Sequence, residues 1–196
     1  MQVQQKNFSN NPDNSFDRLN GDFQEFLIDE KILMKFSVWF SLILLIAGIA
    51  LFSIFYGFAE LKGTVKFLIH LILWIIPIIF LHEGLHGIVW AIANRNIKNI
   101  KFGFYKEYLT FYTHCKVPLS KWKYFAGGIA PFIFLSILPL LLSLIYGSSY
   151  WLGFGIFNGW TCTADLLVCY YVFLQPSYAL IQDHPDKLGF MISKPA

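Results

Sequence analysis

Residues 36–58 are 23 consecutive residues without a charged side chain. A helix of that length rises about 35 Å, enough to cross a hydrocarbon core about 30 Å thick. In lipid the backbone amides must bond within their own segment, which leaves such a run one practical conformation, a transmembrane α-helix. Three further apolar stretches follow, at about 66–93, 122–146 and 150–174. Hydrophobic residues make up 56 % of the 196 and charged residues only 14 %, which excludes an ordinary soluble domain. The expected class is an all-α membrane protein with about four transmembrane helices.

Between the second and third spans the pattern changes. Residues 97–104 and 108–114 are β-branched and aromatic, and they predict a β-hairpin joined through 105–107. Residues 1–20 are rich in Asn, Asp, Gln and Ser and read as a disordered tail without the apolar stretch of a cleaved signal. Residues 22–35 mix Phe23, Phe26, Leu27, Ile28, Ile32 and Leu33 with acids and lysines, the pattern of a helix lying on the membrane surface. The expected organisation is therefore a tail with an interfacial helix over 1–35, a membrane-embedded domain over 36–176 and a polar tail over 177–196.

The loops set an orientation. Thirteen of the fifteen Lys and Arg residues fall in the N-terminal segment, the 94–123 loop and the C-terminal tail. With four spans these all lie on one side, so both termini and the hairpin are expected in the cytoplasm of a bacterial inner membrane. Cys115, Cys162 and Cys169 have no paired spacing and imply no disulfide framework. The chain carries no glycine-rich phosphate loop and no zinc-finger cysteine set, and no nucleic-acid partner is expected.

The second span contains His82-Glu83-Gly84-Leu85-His86. On a helix, residues four apart project from one face one turn apart, so both imidazoles can grip one cation. Glu83 stands about 100° round the helix from His82, within reach of a water held by that cation. An acid at membrane depth costs about 2.5–3.5 kcal/mol even on insertion scales, a penalty that points to a use. Two histidines leave Zn²⁺ short of the three protein ligands usual in catalytic sites. The fourth span offers Asn158, Cys162, Asp165 and Cys169 at spacings that make one helical stripe, with Asp165 its only charge. Counted from the ends of their spans, His82 and Asp165 lie at similar depths, about 22–26 Å in. Asp165 is therefore the expected third ligand, with Asn158, Asp183 and His184 as alternatives. His114, at the end of the hairpin, is expected to act beside the site or at the surface.

These residues, with Tyr112-Thr113-His114-Cys115-Lys116-Val117-Pro118, Pro131 and Asp183-His184-Pro185, resemble the bacterial membrane proteins described as putative zincin peptidases. The resemblance covers about residues 65–190. It implies a zinc-dependent peptidase with His82 and His86 as ligands and Glu83 as base, acting on a peptide or membrane-protein substrate. The logic is similar to that of site-2 intramembrane proteases, which take a third ligand from an Asp on a later span. Their Asp-Gly pair is absent here, since Leu166 follows Asp165. The expected chemistry is hydrolysis by a zinc-activated water with Glu83 as general base. An exposed strand of the hairpin would hold an extended substrate by strand addition. Two other readings use the same residues: a non-catalytic metal-binding membrane protein, and an ion or proton pathway through Glu83 and Asp165.

Overall fold

A computed structural model describes residues 23–105, 110–184 and 187–193. The order of elements is β1 (Phe23–Leu27), α1 (Glu30–Tyr56), α2 (Lys62–Asn94), β2 (Ile100–Tyr105), β3 (Thr110–Cys115), β4 (Leu119–Ser120), α3 (Lys121–Pro131), a π-helical segment (Phe132–Ile137), α4 (Leu138–Tyr146), α5 (Ser149–Thr161), α6 (Thr163–Phe173), β5 (Leu180–Asp183) and β6 (Gly189–Ser193). The chain is mostly helical, with the β2–β3 hairpin between the second and third long helices. Three stretches are long and apolar enough to cross a membrane: Glu30–Tyr56, Phe58–Asn94 and Lys121–Tyr146. A fourth span arises if α5 and α6, bent by 56° at their junction, count as one.

The chain forms two compact units. One comprises 30–83 and 129–167 and is wholly helical. The outward faces of α1 and of the first part of α2 carry Ile43, Ile46, Ile54, Ile69, Ile72 and Leu73, all exposed, as lipid-facing helices require. Inside, Phe67, Ile78 and Phe154 make a buried cluster walled by Leu71, Tyr150 and Phe157. Small residues bring the helices close. A Cβ on Gly155 of α5 would lie 2.9 Å from the Ser136 carbonyl oxygen, whose own side chain donates to the Gly155 carbonyl at 2.8 Å. The α1–α2 connection is tied down by Ser149, which accepts from the Gly63 amide at 3.0 Å and donates to the Glu60 carbonyl.

The other unit comprises the described residues up to Asp29 together with 84–128 and the described residues from 168 on. Its centre is a four-stranded antiparallel sheet in the order β1-β6-β5-β4, packed on Trp90, Tyr124 and Val172. Lys121 opens α3 and is buried because its ammonium donates to the carbonyls of Phe173 and Gln175, both at 2.6 Å, closing the C-terminal end of α6.

Two segments differ from the sequence expectation. Residues 23–27 are a strand, not part of a surface helix, and α1 starts at Glu30. The reason is tertiary: β1 pairs along its length with β6, and Phe26 stacks on Phe190 at 4.8 Å. The C-terminal segment is likewise no simple tail, since it supplies β5 and β6. The fourth apolar stretch is helical as expected but broken at Cys162, so its polar stripe does not follow one straight face. The turn of the β2–β3 hairpin lies outside the described residues.

The close helix packing has a measurable consequence. Gly155→Val should cost about 1–3 kcal/mol, since the added carbons meet Leu140 Cγ at 2.8 Å and, at 2.9 Å, the Ser136 carbonyl oxygen, which is backbone and cannot step aside. Gly84→Ala, with nothing within 4 Å of the added carbon, should instead stabilise α2 by about 0.5–1 kcal/mol. Thermal unfolding in detergent should show the two midpoints moving in opposite directions.

Candidate metal centre

Helix α2 runs unbroken through Pro77 and the His82–His86 motif, so the two histidines stand one turn apart as the spacing demands. Asp165 lies in the first turn of α6, and its Oδ2 is 3.1 Å from His82 Nε2. One ligand atom from each of His82, His86 and Asp165 lies within 4.8 Å of the others. Among the described residues this is the one group of three or more His, Cys, Asp or Glu side chains so gathered. Zinc bonds of about 2.0–2.2 Å put neighbouring ligands of a tetrahedral ion about 3.3–3.5 Å apart. The His82–Asp165 separation is close to such an edge, and two imidazoles with a carboxylate are a donor set that zinc takes. The residues present therefore fit the ion.

Each histidine has its second ring nitrogen engaged. His82 Nδ1 faces the sulfur of Cys162 at 3.8 Å, where the break between α5 and α6 turns that buried thiol. His86 Nδ1 lies 2.8 Å from the carbonyl oxygen of Gly127. A carbonyl can only accept, so Nδ1 carries a proton, which in a neutral imidazole is the tautomer whose Nε2 can bind a cation. His86 is buried and stacks on Trp90 with ring centres 5.3 Å apart, and Trp90 donates to the Tyr124 carbonyl at 3.0 Å.

The other residues singled out from the sequence do different work. Asn158 is fully buried and donates to the Phe154 carbonyl of its own helix at 2.9 Å. Asp183 accepts from the Tyr124 hydroxyl at 2.5 Å and the Cys115 amide at 2.9 Å, with His114 Nδ1 at 3.8 Å. His184 accepts from the Lys187 amide at 2.9 Å and turns Nε2 toward Glu25, 3.7 Å away. The alternative ligands Asp183 and His184 thus hold the sheet to its surroundings, and His114 stands beside Asp183. Sequence reasoning passed over Gly127, because a backbone carbonyl is not signalled by residue type. The available hint was the Gly127-Gly128 pair ahead of Pro131.

A family model described as "Putative zincin peptidase" matches residues 75–180, over half of the chain and the stretch that holds all three metal-capable residues. No curated protein and no solved structure matches.

Cys115, in the β3 strand, is fully buried; burial pushes its thiol above the ordinary value and the nearby Asp183 carboxylate adds to the rise. Fewer thiolates at neutral pH mean slow alkylation. Peptide-resolved maleimide labelling should find Cys115 modified roughly tenfold or more slowly in the folded protein than after denaturation.

Proposed function

Because this chain belongs to the family described as "Putative zincin peptidase", we propose that it is a membrane-embedded zinc metalloendopeptidase. The observation that carries this reading is the gathering of His82, His86 and Asp165 around the H-E-x-x-H turn of an apolar helix. His82, His86 and Asp165 would hold the ion, and Glu83 is the general base. Zinc bound there supplies a Lewis acid that polarises a peptide carbonyl and brings the pKa of water down to about 7.

The remaining steps belong to the chain. Glu83, next to His82 on the helix, takes the proton of the attacking water and hands it to the departing amine. The Gly127 carbonyl holds His86 in the tautomer that offers Nε2. The substrate is a peptide segment delivered at or in the membrane. The excess of Lys and Arg in the termini and in the hairpin loop supports a cytoplasmic location for all three.

Metal analysis and cleavage of a quenched-fluorescence peptide library, on one set of variants, test the reading. Wild type should hold one zinc per chain. His86→Ala should lose it and Asp165→Asn should hold it more weakly. Glu83→Gln should keep the zinc while turnover falls by about 10²–10⁴-fold. Cleavage by Glu83→Gln at the wild-type rate would leave a structural metal or an ion pathway as the better account.

A further inference from the structure

Helix α3 ends at Pro131, and Gly127 lies four residues before it. In an α-helix the amide of residue i donates to the carbonyl of residue i−4. Proline has no amide proton, so the Gly127 carbonyl lacks its ordinary helical donor. That carbonyl is the one His86 Nδ1 meets at 2.8 Å. The helix continues past the proline in π form over Phe132–Ile137, so the span is not ended there.

Two further observations show that this meeting is built. A Cβ on Gly127 would lie 2.0 Å from the Trp90 indole nitrogen, so only glycine lets the Trp90 ring lie against this turn. Trp90 in turn stacks on the His86 ring at an interplanar angle of 19° and is anchored by its bond to the Tyr124 carbonyl. The imidazole is thereby held in its plane by one contact and in its tautomer by the other.

We propose that Pro131 is a positioning residue for metal binding: by withholding an amide proton it leaves the Gly127 carbonyl turned to His86, which keeps the ring proton on Nδ1 and makes Nε2 the nitrogen that can bind a cation. Restoring the amide would draw the carbonyl back along the helix axis and make His86 share it. Gly127 and Trp90 complete the device, one by giving room and the other by stacking. The inference rests on His86 being a zinc ligand, but its central claim concerns the tautomer of the metal-free protein.

Pro131→Ala is the test, with Pro139→Ala as the matched control. Both prolines are buried and both lie in the same long span, but Pro139 faces no histidine carbonyl partner in the bonds described. Nitrogen-15 NMR of histidine-labelled, metal-free protein should show His86 as the Nδ1–H tautomer in wild type and Pro139→Ala. In Pro131→Ala that tautomer should be partly lost. Competition with a chromophoric chelator should show zinc affinity lowered about tenfold or more in Pro131→Ala alone. An unchanged tautomer in Pro131→Ala, or equal losses of affinity in the two variants, would overturn the proposal. Failure of the wild type to bind zinc would instead sink the peptidase reading and leave the tautomer result standing.

Discussion

A polar ring placed among apolar helices must have both of its nitrogens engaged, because an unpaired donor in that setting costs more than most contacts return. His82 and His86 of α2 meet this requirement in different ways. His86 gives its Nδ1 proton to the Gly127 carbonyl. His82 has a carboxylate on one side and a thiol on the other, so in the metal-free chain its Nε2–H donates to Asp165. On the proposed reading a cation would bind through Nε2 of both rings, and His82 would give up this hydrogen bond to accept it. The His82–Asp165 hydrogen bond thus stands where the proposed reading puts a cation.

Backbone irregularity serves this site at two points. Pro131 removes a helical donor from the turn that faces His86, and the α5–α6 break at Cys162 puts Asp165 in the first turn of a new helix. Within a membrane such breaks persist where neighbouring groups take up the released backbone atoms. Here His86 takes up the Gly127 carbonyl, while Cys162 keeps its amide bonded to the Asn158 carbonyl at 3.1 Å. The irregular positions and the polar positions coincide for one reason: a regular helix offers no spare backbone group to hold a side chain.

Much of this was legible in the chain itself. Charge-free runs announce membrane helices because lipid tolerates little else, and the i, i+4 histidines announce a shared face because a helix repeats every 3.6 residues. Alternating aromatic and β-branched residues announced β2 and β3. Less visible were β1, β5 and β6, whose pairing joins residues 23–27 to 189–193. Strands of four or five residues carry too little periodic signal to be read alone, and Glu25 looks like a surface acid until His184 is found 3.7 Å away in the same buried layer.

The amino-acid sequence by itself determined the solvent this protein lives in and the helix turn on which a cation can sit. Hydrophobic length and helical repeat are local properties, written in consecutive residues. Only the tertiary structure decided between Asp165 and Asp183 as the carboxylate that faces His82, which carbonyl sets the proton on His86, and that the two ends of the chain share one sheet. Those choices depend on distances between residues about forty to a hundred and seventy positions apart, and no local pattern encodes them.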